Sequence, residues 1–263
     1  MSLFRTHVRL GTIVLAVLAT SGLCNAQNAP HATPAADAAP NGAPVFDGPN
    51  QLPPDTAAAK AARTLVPYFV PATKGPAQPD ADGFLRRWLL LEPIDKPNRS
   101  NDVFTGTYVR AALGHEVYPN QFTSLPHDGE VVKVGGQSLA WHALDSTKFD
   151  VKLFRFAYGL NKQTYGVIFW AATVVNSPRD INVRLAAGSN SASMWRLNGG
   201  EVAGLFDDRR MVMDDVVSRR LTLKKGRNIL WGAVINGPGL SDFCVRFVDD
   251  RGQPVKDITV NTQ

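Results

Sequence analysis

The sequence predicts an all-β fold, a jelly-roll β-sandwich of roughly ten short strands, over residues 83–263. Short runs rich in β-branched and aromatic residues recur from residue 83 onward, and Gly, Asn, Asp and Pro separate them. No long stretch shows a convincing helical period. Many short strands with turn residues between them are typical of sandwiches and barrels.

Individual strands are supported by alternation and by turn residues. Ile181–Leu185 alternates strictly, which places its three branched apolar side chains on one face of a strand. Asn198-Gly199 and Gly135-Gly136 each favour a tight hairpin, because these residues accept positive φ angles. The predicted strands are Phe84–Leu91, Val131–Val134, Ser138–Trp141, Val151–Tyr158, Tyr165–Val175, Ile181–Leu185, Ser193–Leu197, Glu201–Ala203, Val217–Leu223, Asn228–Ile235, Phe243–Val248 and Val255–Val260.

Residues 1–26 have the layout of a secretory signal peptide. Two arginines precede the uncharged apolar stretch Leu10–Leu23, and small residues then lead to a cleavage position after Ala26. The apolar stretch is shorter than the roughly 20 residues that a membrane-spanning helix needs. Lipidation of Cys24 is the alternative, disfavoured because Leu23 is not small. We therefore expect a periplasmic or secreted protein that has no membrane anchor after cleavage.

Residues 27–82 have the composition of a largely disordered tether. Eleven of the 18 prolines precede residue 80, and most other residues between 27 and 82 are Ala, Asn, Gly and Asp. Such a stretch buries little apolar surface and favours extended conformations. Its exception is the apolar run Leu65–Val70, which could dock on the domain or continue a short helix from Ala57 to Leu65.

The net charge and the cysteine content argue against two classes of function, nucleic-acid binding and chemistry at a reactive thiol. The formal net charge is +5, and two of the arginines lie in the predicted signal peptide, so the mature chain is only weakly basic. Nucleic-acid binding is not expected, because the remaining basic residues are interrupted by aspartates rather than clustered in a stripe. Cys244 would be alone in the mature chain, and its apolar neighbours predict a buried thiol rather than a reactive one.

The pattern of loops and strands after residue 187 resembles a known module. Its parts are Gly188–Ser191, Trp195–Gly199, Leu223–Asn228, Phe243–Phe247 and Asp249–Gly252. Together they resemble the galactose-binding-like jelly rolls attached to bacterial polysaccharide-degrading enzymes. Upstream, Phe84–Ile94 and Val151–Lys162 resemble a module of bacterial proteins described as acetylxylan esterases. Related modules often carry calcium-binding aspartates where Asn190-Ser191 stands here, so neither a metal nor a cofactor is expected.

A catalytic apparatus is not evident in the sequence. The nucleophile-elbow pattern Gly-x-Ser-x-Gly is absent, and so are metal-ligand spacings such as Cys-x-x-Cys. Asp207-Asp208 and Asp214-Asp215 are adjacent pairs, whose side chains on a strand would point to opposite faces, unlike the facing carboxylates of a glycosidase. An esterase remains the enzymatic alternative, with Ser191 and His142 as the residues to test.

A ligand site is predicted around one tryptophan and its polar neighbours. Sugar sites combine an aromatic platform with oriented polar side chains. Trp88, Trp170 and Trp231 lie within apolar runs and are expected in the core. The candidate ligand-binding residues are Trp195, Asn190, Ser191, Arg209, Arg210 and Asp214. The alternative is that Trp195 packs under the Asn198-Gly199 hairpin while the Arg and Asp residues form structural ion pairs.

The leading functional hypothesis is a non-catalytic module that binds carbohydrate or supports the degradation of plant polysaccharide. The resemblance implies a xylan-type cell-wall partner and a catalytic hydrolase acting beside the module. The two alternatives are a carbohydrate esterase of the acetylxylan type and a purely structural or interaction module.

Overall fold

The computed structural model describes residues 63–95, 104–207, 209–237 and 240–263. The predicted signal peptide, Cys24, Asp208 and residues 27–62 of the predicted tether lie outside the described residues. The described strands are β1 Phe69–Pro71, β2 Arg87–Leu91, β3 Ile94–Asp95, β4 Val131–Val134, β5 Gln137–Ser146, β6 Val151–Lys152, β7 Val167–Ser177, β8 Ile181–Ser189, β9 Ala192–Leu197, β10 Gly200–Leu205, β11 Val216–Val217, β12 Leu221–Leu223, β13 Gly226–Ile235, β14 Asp242–Val248 and β15 Thr259–Asn261. The described helices are α1 Gly106–Leu113 and α2 Leu153–Gly159.

The strands form two antiparallel sheets. The larger sheet has the order β1-β5-β2-β7-β13-β9-β10, with β3 and β15 also paired to β7 and β4 paired to β5. The smaller sheet has the order β11-β8-β14-β6, with β12 paired to β8. The expectation of an all-β sandwich is therefore confirmed.

The inner core lies between the two sheets and centres on three aromatic rings. Trp88, Trp195 and Phe243 pack with ring centroids 5.0 to 6.2 Å apart. Edge-to-face pairs of this kind add to the free energy gained from burial alone. Phe243 comes from the smaller sheet and the two tryptophans come from the larger one, so the trio joins the sheets.

The larger sheet is buried on both of its faces. Along β2, Trp88 and Leu90 belong to the inner core, whereas Leu89 and Leu91 belong to a second apolar cluster on the outer face. A strand that is buried on both faces has no polar alternation. This explains the dense apolar run after residue 83.

The outer face of the larger sheet is covered by α1 and by the residues that follow it. The side chain of Thr105 caps the helix by accepting a hydrogen bond from the Tyr108 amide, and Val109 and Leu113 are fully buried. Sequence patterns did not predict α1. The helix has only eight residues, too few for a clear period.

The predicted strand Val151–Tyr158 is wrong after Lys152, where the chain turns into α2. Leu153, Phe156 and Ala157 are spaced i, i+3 and i+4, and all three belong to the inner core. Helical spacing is what allows these side chains to share one buried face. β-Branched and aromatic content alone did not distinguish the helix from a strand.

Both predicted hairpins are confirmed. Asn198 and Gly199 have φ angles of 50° and 84°, and they join β9 to β10. Gly135 and Gly136 have φ angles of 53° and 84°, and they join β4 to β5. Positive φ at both central residues is the requirement that these dipeptides satisfy.

Folded structure begins before residue 83, within the region predicted to be a tether. Strand β1 pairs with β5, and Phe69 is only 1% exposed. Ala77 exchanges two backbone hydrogen bonds of 2.8 Å with Val260. We name residues 63–82 the N-terminal arm, which adds an edge strand to the larger sheet.

Cys244 lies in β14 and is 1% exposed, so the prediction of a buried thiol is confirmed. Burial raises the pKa of the Cys244 thiol to about 12, with the Asp214 and Asp150 carboxylates acting in the same direction. The thiol is therefore protonated and unreactive at neutral pH. Within the described part of the chain, no helix combines the length and apolar character needed to cross a membrane.

Candidate functional site

Two connections cross from one sheet to the other at the same end of the sandwich. Strand β8 in the smaller sheet continues into β9 in the larger one through Asn190-Ser191. Strand β13 in the larger sheet continues into β14 in the smaller one through a connection in which Asn236, Gly237, Leu240 and Ser241 are described.

Hydrogen bonds hold these two connections against each other. The Asn190 amide donates to the Asp242 carbonyl at 3.0 Å. The Gly237 amide donates to the Ser191 Oγ at 3.4 Å, and the Ser191 amide donates to the Arg209 carbonyl at 2.9 Å. Ser191 has a φ of 52°, so the turn itself is in the left-handed region. We call Asn190, Ser191, Arg209, Asn236 and Ser241 the loop-end site.

Three buried oxygen atoms at the loop-end site have no hydrogen-bond partner among the described residues: Asn190 Oδ1, Asn236 Oδ1 and Ser241 Oγ. The Asn236 amide nitrogen is fixed by donation to the Thr164 carbonyl at 2.7 Å, which sets the direction of Oδ1. A buried polar atom left unpaired costs about 1–3 kcal/mol. The site therefore offers acceptors that a donor from a bound molecule would satisfy.

Arg209 joins the loop-end site through its backbone carbonyl, which accepts from the Ser191 amide, and its side chain is partly held by other contacts. Its guanidinium forms an ion pair of 2.7 Å with Asp215 and donates to the Phe206 carbonyl at 3.2 Å, and 36% of the side chain stays exposed. Arg210, the next residue, is exposed. Two consecutive arginines thus adjoin the turn at Ser191, one partly exposed and the other exposed.

The carboxylates nearest the site are already neutralised. Lys152 Nζ lies 2.8 Å from both Asp150 Oδ2 and Asp242 Oδ2. Burial lowers the pKa of Lys152, but the two carboxylates more than offset this and raise it above its ordinary value. Among the described residues, no group of three or more His, Cys, Asp or Glu side chains is placed to hold a metal ion.

Trp195 is not the surface platform that the sequence predicted. Its ring is 0% exposed, packs against Trp88 and Phe243, and lies over Gly232 on the neighbouring strand β13. The indole N–H donates to Ser193 Oγ at 3.1 Å. The side chain of Trp195 therefore belongs to the inner core between the sheets.

Asp214 is held in a structural ion pair. Its carboxylate accepts from Arg246 Nε at 3.0 and 3.1 Å and also from Arg246 Nη2. The Val212 carbonyl in the same loop lies so close to Gly188 that a Cβ there would meet it at 1.8 Å. This ion pair and this close contact fix the loop between β10 and β11 onto the smaller sheet.

The residues proposed for the esterase alternative have separate surroundings. Ser191 contacts Arg209 and Gly237 as described above, whereas His142 Nε2 lies 3.5 Å from Glu92 and its ring packs on Phe156. Neither set of contacts pairs the serine with the histidine. Asp214 and Asp215 bind different arginines, as structural carboxylates do.

Asn236 and Ser241 belong to the site but were not predicted from the sequence. Asn236-Gly237-Pro238-Gly239 was interpreted only as a separator between two strands. A turn that carries an amide side chain next to glycine could have marked the position. Asn236 lies near Asn190 only because the β8–β9 and β13–β14 connections both cross between the sheets at the same end of the sandwich. That arrangement is a property of the topology.

Neither a family model nor a curated protein matches this sequence. Among solved structures, the PA14 sugar-binding domain of an RTX adhesin is similar at 9% identity and a TM-score of 0.40, over 65% of this chain and 95% of that one. The PA14 domain of the antifreeze protein MpAFP is similar at 10% identity and a TM-score of 0.39, over 71% of this chain and 90% of that one. The Epa9A adhesin domain of Candida glabrata, solved with Galβ1-4GlcNAc, is similar at 9% identity and a TM-score of 0.34, over 74% and 97%.

Proposed function

We propose that this chain is a non-catalytic carbohydrate-binding module whose ligand occupies the loop-end site. The observation that carries the proposal is the group of buried, unpaired acceptor oxygens of Asn190, Asn236 and Ser241. Sugars present many hydroxyl donors at fixed spacing. A small number of oriented polar groups is what a specific small-molecule site uses.

The arginines supply the complementary half of the recognition. Exposed Arg210 and partly exposed Arg209 are donors only, so they would bind the ring and hydroxyl oxygens of the sugar. Because Trp195 is buried, the sugar would be bound by hydrogen bonds along its polar edge rather than by stacking on the tryptophan ring.

The finer part of the proposal is a xylan-type ligand met outside the cytoplasm. It rests on the resemblance of Phe84–Ile94 and Val151–Lys162 to a module of bacterial proteins described as acetylxylan esterases and on the signal-peptide layout of residues 1–26. A panel of xylan, arabinoxylan, galactan and cellulose tests the ligand. Fractionation of cells that express the full chain tests the destination.

The test of the site is affinity electrophoresis and calorimetry on the same glycan panel with two variants. We expect Arg210→Ala and Ser241→Ala to weaken binding about three- to tenfold each, the loss of one hydrogen bond. Ser241→Ala removes an unpaired oxygen, so it should leave the melting temperature of the free protein unchanged or slightly higher.

The matched control is Arg251→Ala. Arg251 is an exposed arginine in the turn after β14, at the opposite end of that strand from Ser241. Its replacement should leave affinity unchanged. Equal losses for Arg210→Ala and Arg251→Ala would reduce binding to nonspecific charge, and a complete lack of retardation on every glycan would reject the proposal.

A further inference from the structure

A second group of unpaired polar atoms lies on the other side of the larger sheet. Trp141 on β5, Trp170 on β7 and Trp231 on β13 share its outer face and are at most 1% exposed. Trp231 lies 5.8 Å from Trp141 and 6.4 Å from Trp170 between ring centroids. We call these three rings the tryptophan platform.

Among the described residues, the indole nitrogens of the platform find no hydrogen-bond acceptor, and neither does Gln121 Nε2, which is completely buried. The hydroxyl of Tyr118, whose ring packs on Trp141, is likewise buried without a partner among the described residues. An indole N–H left unpaired inside a protein has given up the hydrogen bond that it makes with water in the unfolded chain, which is unfavourable. By contrast, Trp88 and Trp195 in the inner core donate to the Leu85 carbonyl and to Ser193 Oγ.

Residues 115–126, which we call the cover segment, lie over this platform. Tyr118 packs on Trp141 at 6.5 Å, and Phe122 packs on Trp170 and Trp231 at 5.7 and 6.0 Å. The contacts to the sheet are thus made by aromatic rings.

The backbone hydrogen bonds described for the cover segment end within it. The Val117 amide donates to Gln121 Oε1, the Phe122 amide donates to Glu116 Oε1, and the amides of Thr123 and Ser124 donate to the Asn120 carbonyl. Lifting the segment therefore breaks ring contacts but no ladder of a sheet. Such a unit is expected to open at a lower free energy than the strands beneath it.

We propose that the tryptophan platform is a second ligand site, reached when the cover segment lifts, and that it takes an O-acetylated sugar. The unpaired groups at this site are mainly donors, since indole offers only its N–H and Gln121 Oε1 is already occupied by Val117; the Tyr118 hydroxyl is the group that can also accept. A sugar with free hydroxyls would leave most of its own donors unpaired there. Acetyl esters replace those donors by carbonyl acceptors and add methyl groups that pack on indole faces.

The choice of a sugar ester over another ester rests on the proposed function. The pattern of unpaired donors, by contrast, is independent of the proposed function. A failure at this site therefore leaves the loop-end proposal standing, and the experiment has to report on the two sites separately.

The test is an NMR titration of the ¹⁵N-labelled domain with acetylated xylo-oligosaccharide and with the same material after deacetylation. We expect the indole resonances of Trp141, Trp170 and Trp231 to shift with the acetylated probe alone. The indole resonances of Trp88 and Trp195 serve as internal controls and should stay in place. Amide shifts at Asn190 and Asn236 report the loop-end site independently.

Variants give a second measurement. Trp170→Phe keeps a ring but removes the N–H, so affinity for the acetylated probe should fall about three- to tenfold. Trp88→Phe, which removes an indole already paired inside the inner core, should leave that affinity unchanged. Platform resonances that never move with the acetylated probe would overturn the proposal, and so would equal shifts of all five indoles.

Discussion

At the scale of single residues, close contacts explain where the large side chains point. A Cβ on Gly232 would lie 2.2 Å from the Trp195 ring, so the absence of a side chain at that position makes room for the tryptophan. The two residues are direct cross-strand neighbours on β13 and β9. The burial of Trp195 thus depends on a glycine 37 positions away in the sequence.

Replacing Gly232 by alanine should therefore destabilise the inner core. We expect Gly232→Ala to lower the free energy of unfolding by about 1–3 kcal/mol, because overpacking forces the Trp195 ring out of its place. Chemical denaturation followed by tryptophan fluorescence measures this. Gly200→Ala is the control, since its nearest neighbour would be 3.7 Å away, and it should change stability by less than about 0.5 kcal/mol. Equal effects of the two substitutions would contradict this account.

Alternation of apolar and polar residues predicted strands well. It could not predict which way a side chain points on a strand that is buried on both faces. Ile181–Leu185, with one wet face, was predicted correctly as an alternating strand. Trp195 lies on a strand where five of six residues are buried, so its pattern carries no preference for either side. Asn236 was missed for a related reason, because a turn residue acquires its partners only from the topology.

At the scale of elements, the N-terminal arm is fixed to the sandwich by a buried ion pair. Arg87 on β2 is 3% exposed and binds Asp145 on β5 through two hydrogen bonds of 2.7 Å. The same guanidinium donates to Thr73 Oγ1 at 2.7 Å and to the Gly75 carbonyl. The Arg87 side chain thus joins two strands of the sheet to the N-terminal arm, although the composition of the arm is that of the tether.

Removal of Asp145 should release the N-terminal arm. Asp145→Ala leaves the Arg87 charge buried without its partner, and we expect a loss of about 2–3 kcal/mol, below that of a fully buried pair because Asp145 keeps 23% of its side chain exposed. Limited proteolysis should then cleave within residues 63–82. The control is Asp257→Ala, which breaks an exposed pair with Arg179 and should cost less than about 1 kcal/mol. An arm that stays protected in Asp145→Ala would argue against this role.

Helices were the elements that sequence patterns missed. α1 and α2 have eight and seven residues, which is about two turns each, and neither length allows a periodic pattern to emerge. α2 forms because Leu153, Phe156 and Ala157 gain a common buried face against the sheets. That gain arises from tertiary packing and is invisible in local composition.

At the scale of the whole molecule, stability should depend on pH through Glu92. Burial acts to raise the pKa of Glu92, but the Lys162 ammonium at 2.9 Å, the Ala140 amide and nearby His142 together hold it below its ordinary value of 4.5. A carboxyl group whose pKa is lower in the folded state stabilises the fold above its unfolded pKa. That contribution is lost as the pH falls through the folded value.

We therefore expect the free energy of unfolding to decrease as the pH is lowered below about 4.5, the ordinary pKa of this carboxyl group. Glu92→Gln should show a smaller decrease over the same range, although it is less stable at neutral pH. Urea denaturation at a series of pH values measures both slopes. Identical slopes would remove Glu92 as a source of the dependence.

The two crossings at the loop-end site have a consequence for how occupancy can be detected. A molecule bound at the proposed site would contact the β8–β9 and β13–β14 connections at once, and it would therefore make the two sheets separate less readily on heating. A ligand that binds only the folded state adds about 2.7 kcal/mol at a concentration one hundred times its dissociation constant. If the proposed function is correct, the melting temperature of the unlabelled protein should rise with a glycan that binds, which allows a panel of glycans to be screened before the ligand is known.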